Sequence, residues 1–94
     1  MKNFTESVED ILSNFDWQRV LTVMEALDWK YSVPNEGQRR PTLDDIQATA
    51  RKILTEAVSG PAPRVICQGG FRAELYPDEL ELLFVVEEIS TDAL

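Results

Sequence analysis

The sequence predicts an α+β domain: two main helices and a short N-terminal helix packed on a small antiparallel sheet built on a C-terminal β-hairpin. Two changes of pattern carry this expectation. Up to Ala57 the apolar residues recur at helical spacing, and from Val65 they alternate, which are the periods of a one-sided helix and a one-sided strand. Gly60-Pro61 stands between the two regimes, where a glycine followed by proline ends a helix. The 94 residues fit a single domain over 1–94 with one small core.

Each element has a local reason. Thr5 to Asn14 places Val8, Ile11, Leu12 and Phe15 at helical spacing, with Thr5 as the N-cap. So short a helix must dock on something to persist. Asp16 reads as a second N-cap, with Phe15 and Val20 at the staple positions around it. Trp17, Val20, Leu21, Met24 and Leu27 then form one stripe, so a helix is expected from Trp17 to about Asp28. Trp29-Lys30-Tyr31-Ser32-Val33 alternates as a short edge strand would. The 34–41 stretch, with two prolines and Gly37, reads as a loop.

Thr42 is the clearest helix start. Asp44 and Asp45 sit in its first turn, and Asp45 is placed for a reciprocal capping bond. Ile46, Ala50, Ile53, Leu54 and Ala57 form the apolar stripe, and Gly60 is expected as a left-handed terminator. In the hairpin, Phe71, Ala73 and Leu75 share a face, as do Leu80, Leu82, Phe84 and Val86, with Tyr76-Pro77-Asp78-Glu79 turning between them. Pairing Leu75 with Leu80, Ala73 with Leu82 and Phe71 with Phe84 puts both sets on one side, and a one-residue slip would oppose them. Gly69-Gly70 reads as a bulge or a close backbone approach. The tail over 90–94 is expected to fray.

The opposite face of that hairpin carries Arg72, Glu74, Tyr76, Glu81, Leu83, Val85, Glu87 and Ile89. Leu83 and Val85 suit a covered face better than a solvated one. The helices can cover one side of a small sheet. A homodimer is therefore expected, with Arg72, Tyr76, Leu83 and Val85 at the contact. The plainer alternatives are a first helix that wraps round, or a few tolerated surface apolars.

Composition narrows the function classes. The net charge is −8, and the last thirty residues set one Arg against seven acids. Duplex DNA is a poor partner for such a chain, because nonspecific binding needs clustered Lys and Arg on phosphate. The start of the chain lacks the apolar centre of a secretory signal, and no apolar run is long enough for a bilayer. A cytoplasmic setting without membrane contact is expected. With no His and one Cys, serine and cysteine triads and thiolate zinc sites are excluded. Glu87 and Glu88 point to opposite sides of a strand and cannot share an ion. No catalytic residue, metal or cofactor is called for.

Candidate binding residues remain. Trp29, Lys30 and Tyr31 put two aromatics beside a cation, which can stack on a base and hold a phosphate, or can equally close a core. Arg39 and Arg40 lie in a glycine- and proline-bearing segment and could grip an anion or stay solvated. Gly69 and Gly70 could let a ligand approach the backbone. Arg72, flanked by Glu74 and Glu81, reads as a cross-strand ion pair, or as a recognition residue if its face meets a partner. Cys67 reads as a small strand residue.

The stretches Phe15-Asp16-Trp17, Met24-Glu25-Ala26-Leu27-Asp28-Trp29-Lys30-Tyr31, Gly69-Gly70-Phe71-Arg72-Ala73 and Leu82-Leu83-Phe84-Val85-Val86-Glu87-Glu88 together resemble a group of small phage and prophage proteins. The resemblance covers most of the chain from Phe15 to Glu88. It implies a counter-defence role in the cytoplasm of an infected bacterial host. One such role is a homo-oligomeric sponge that sequesters a nucleotide-derived immune signal. Another is an acidic inhibitor, of the anti-CRISPR type, that blocks a host nuclease or defence effector by contact. A sponge would stack a base on Trp29 or Tyr31 and hold phosphate with Lys30, Arg39, Arg40 or Arg72. An enzyme using a carboxylate as general base ranks third.

Overall fold

In a computed structural model, which describes residues 4–33 and 35–85, the described residues form a mixed α+β fold of three helices and two antiparallel sheets. Helix α1 spans Phe4–Asn14, α2 Trp17–Ala26 and α3 Leu43–Val58. Strands β1 (Tyr31–Val33) and β2 (Gly37–Arg39) form a two-stranded sheet among the described residues. Strands β3 (Arg64–Gln68), β4 (Phe71–Tyr76) and β5 (Glu79–Phe84) form the larger sheet with β4 at its centre. None of the described helices is long and apolar enough to cross a membrane.

The hairpin register is the one the alternation demands. Leu75 pairs with Leu80, Ala73 with Leu82 and Phe71 with Phe84. Phe71, Ala73, Leu75, Leu80 and Leu82 are all buried, so one side of β4 and β5 closes the core. Against β3 and β4 lies α3, whose Ile46, Ala50, Ile53, Leu54 and Ala57 are fully buried. Alanines at 50, 57 and 73 leave room for helix and sheet backbones to approach, since interiors pack without voids. Helix α1 lies against α3 and β5, and α2 against α3. Phe71 has no exposed surface and sits among the rings of Phe15, Trp17 and Phe84, with centroids 6.1, 6.0 and 5.4 Å away. Burying one such side chain stabilises the fold by roughly 1.5–3 kcal/mol. The Trp17 indole N–H, half inside this cluster, donates to the Leu12 carbonyl at 2.7 Å.

The helix ends follow local chemistry. Asp16 caps α2 by accepting from the Arg19 amide. Thr42 and Asp45 form the reciprocal capping box of α3. Three boundaries differ from expectation. Helix α1 is described over Phe4–Asn14, with Thr5 inside that span rather than ahead of it. Helix α2 stops at Ala26, because Asp28 takes φ 53°. Helix α3 ends through Ser59 in a right-handed conformation, and Gly60 is not among the positive-φ glycines.

The C-terminal region is two hairpins rather than one interrupted strand. Gly69 and Gly70, at φ 60° and 88°, make a two-residue turn between β3 and β4, flanked by the pair Gln68 and Phe71. Positive φ at both central residues matches the twist of the flanking strands, and glycine reaches it without strain. The bulge reading is thereby corrected. Within the 34–41 segment, Gly37–Arg39 forms β2 and pairs with β1. Val86, Glu87, Glu88, Ile89 and the tail over 90–94 lie outside the described residues.

Candidate functional site

The end of α2 aims the aromatic segment. Trp29 N–H bonds the Met24 carbonyl at 2.9 Å and Asp28 N–H the Glu25 carbonyl at 3.1 Å, with Asp28 left-handed between them. This is the paired C-terminal bonding usually built on glycine. It turns the chain sharply, so that Trp29, Lys30 and Tyr31 leave the helix toward the larger sheet. Asp28 also serves as an anion here: Arg40 Nη2 lies 2.8 Å from its carboxylate and Lys30 Nζ 3.7 Å.

Tyr31 crosses to the turn between β3 and β4. Its hydroxyl donates to the Gly69 carbonyl at 2.9 Å. A side chain at Gly69 would have its Cβ 2.8 Å from Thr49 Cγ2 and 3.0 Å from the Tyr31 hydroxyl. The close backbone approach expected at this glycine is therefore real, and what approaches is the protein's own tyrosine and threonine. Burial pushes the Tyr31 phenol up to about 12, opposed by a hydrogen bond from Thr49 and reinforced by the charge of Asp45. Trp29 and Tyr31 are partly buried and pack against the core, so they close the core and line its edge at once.

The result is a cleft of about 290 Å³ lined by Trp29, Lys30, Tyr31, Ser32, Thr49, Gln68 and Gly69. Its walls come from the α2 exit, β1, α3 and the Gly69 turn. Two aromatic rings, one exposed cation, three hydroxyls and one primary amide suit a small planar ligand with hydrogen-bonding edges and an anionic group. The Trp29 indole N–H is buried with no hydrogen-bond partner.

Four candidates gather here: Trp29, Lys30, Tyr31 and Gly69. The others do not line the cleft. Arg39 forks onto Asp45, with Nη1 2.6 Å and Nη2 3.0 Å from the carboxylate oxygens, and its Nε reaches Glu36 at 3.2 Å. The Arg39 guanidinium and the Thr42 amide hold the Asp45 carboxyl below its ordinary range. Arg40 is engaged by Asp28. Gly70 sits in the turn, its carbonyl accepting from the Val85 amide at 2.9 Å. Arg72 lies on the other side of the sheet and pairs along its own strand with Glu74, at 3.1 Å. The cross-strand pair is corrected: Leu83 and Cys67 stand opposite Arg72, whereas Glu81 stands opposite Glu74.

Sequence reading missed Ser32, Thr49 and Gln68. Thr49 sits one residue before buried Ala50 on α3, and nothing in its spacing marks it. Only the packing of α3 beside the Gly69 turn brings it to the cleft. Among the described residues no three Cys, Asp or Glu side chains gather as metal ligands would. No family model, curated protein or solved structure matches the chain.

Proposed function

We infer that the protein is a non-catalytic binding protein that sequesters a small nucleotide-derived ligand in the cleft between the α2 exit and the Gly69 turn. One observation carries the reading. Trp29, Lys30 and Tyr31 meet Thr49, Gln68 and Gly69, which lie far away in sequence, around a single concave surface. The ligand's planar part stacks on an aromatic face, and its polar edges meet Ser32, Thr49 and Gln68. Lys30 supplies the charge for an anionic group, in competition with Asp28. Arg39, Arg40 and Arg72 take no part, because none of them lines the cleft. Removal of an immune signal from an infected cell is the role such binding would serve.

Calorimetry against cyclic dinucleotides, cyclic trinucleotides and ADP-ribose derivatives tests the reading. Binding at micromolar concentration or tighter is expected for at least one, weakened at least about tenfold in Lys30→Ala, a loss of about 1.4 kcal/mol. Absence of heat with every member of the panel overturns it.

A further inference from the structure

The side of the larger sheet that faces away from the helices carries a second chemistry. Its residues stand in rows set by the strand register. Val65, Glu74 and Glu81 form one row, Cys67, Arg72 and Leu83 the next, and Tyr76 pairs with Glu79. Val65 is 56% exposed and Tyr76 39% exposed, both high among the large apolar residues. Cys67 is exposed as well. Between them two carboxylates, Glu74 and Glu81, sit directly opposite each other on adjacent strands. Like charges in that position destabilise a strand pair.

The protein's own cation relieves only half of this opposition. Arg72 reaches Glu74, whose side chain is 16% exposed, while its Nε donates no hydrogen bond. Glu74 also accepts from the Tyr76 hydroxyl at 2.9 Å. That bond, and the charges of Glu74, Glu81 and Glu79, raise the Tyr76 phenol. Among the described residues no cation lies within ion-pair distance of Glu81. Arg72 against Glu74, Glu79 and Glu81 leaves this face two negative charges in excess.

We propose that the outer face of the β3–β4–β5 sheet docks a partner protein through an arginine or lysine seated at Glu79 and Glu81, the carboxylates of this face that Arg72 does not engage, with Val65, Tyr76 and Leu83 as the apolar contacts around it. A guanidinium suits neighbouring open carboxylates in both charge and hydrogen-bonding capacity. Exposed valine and tyrosine flanking that point supply the apolar area such a contact needs. A second copy of this chain fits less well. Each copy would bring the same excess of negative charge, and its one cation on this face is already held by Glu74. The surface is separate from the nucleotide cleft, which lies on the core side at the Gly69 turn.

An oligo-arginine peptide titrated into the ¹⁵N-labelled protein at low salt tests this. Amide shifts are expected to concentrate on β4 and β5 around Glu79 and Glu81. Glu81→Gln is expected to weaken binding at least about fivefold, and Glu25→Gln, which removes the same charge from α2, less than about twofold. The thermal midpoint of Glu81→Gln should not fall below wild type, because the substitution removes a like-charge opposition. Equal weakening by the two variants, or shifts spread over the helices, would show a response to net charge alone and overturn the proposal. Light scattering that shows a dimer, abolished by Val65→Asp, would assign the face to a second copy and overturn it equally.

Discussion

The two turns of the larger sheet make a useful comparison, because each joins a strand to β4 through two residues and each has a tyrosine beside it. At one end, the Gly69-Gly70 turn is packed under Tyr31 and Thr49. At the other, Pro77-Asp78 is exposed, among the carboxylates of Glu74, Glu79 and Glu81. Both tyrosines have raised phenols, for different reasons. Tyr31 is raised first by burial, and Tyr76 first by donating to a carboxylate. The same shift direction thus reports a dry junction at one end of the sheet and a charged surface at the other.

The largest expected effect is at the packed turn. Gly69→Ala combines a left-handed φ with a Cβ 2.8 Å from Thr49 Cγ2, and urea denaturation should show a loss of about 2 kcal/mol. Glu79→Ala, beside the exposed turn, should change stability by no more than about 0.5 kcal/mol. Equal losses at the two turns would erase the distinction.

The hydroxyls come next. Tyr31→Phe deletes the bond to the Gly69 carbonyl and should cost about 1 kcal/mol. Tyr76→Phe, at an exposed side chain, should cost little. The Tyr31 phenol has a higher pKa folded than unfolded, so the neutral phenol favours folding. Its contribution is fully present below the unfolded value of about 10 and is lost as pH rises toward about 12. Wild-type protein should therefore lose stability over that alkaline window, and Tyr31→Phe should lose less of it.

Salt gives the smallest and most discriminating effect. Spectrophotometric titration in low and high salt should move the Tyr76 phenol toward its ordinary value, because the charges of Glu79 and Glu81 are screened. Burial, the first cause at Tyr31, is not screened, so Tyr31 should move less than Tyr76. A Tyr31 value that follows salt as Tyr76 does would count against the dry junction.

Much of this molecule is written in local pattern. The pairing of Phe71 with Phe84 follows from alternation, because a slip by one residue would turn every apolar side chain of a strand outward. The capping box of α3 follows from Thr42 and Asp45 at a three-residue spacing, a contact that the helix itself creates. The Gly69-Gly70 turn was harder to read. The strand period starts at Val65, but Val65-Ile66-Cys67 is too short a run to show that it forms a strand separate from Phe71–Tyr76. Asp28 in a left-handed cap gave no signal either, since glycine is the residue that advertises that conformation.

The candidate site divides along the same line. Trp29, Lys30 and Tyr31 were legible as a group because they are adjacent, and adjacency is a property of sequence. Whether Arg39, Arg40 and Arg72 were available to a ligand was not legible. Their carboxylate partners are reached by the folding of a hairpin onto a helix end, as with Arg39 and Asp45, or by a strand's choice of face, as with Arg72 and Glu74.

By itself, then, the sequence determined the helices, the register of the last hairpin and the side of it that closes the core, because helix and strand periods are short-range properties that repeat. Tertiary structure decided which cation lines the cleft and where Tyr31 ends. Its hydrogen bond joins residues 38 positions apart, and a contact over that separation exists only once α3 and the sheet have packed.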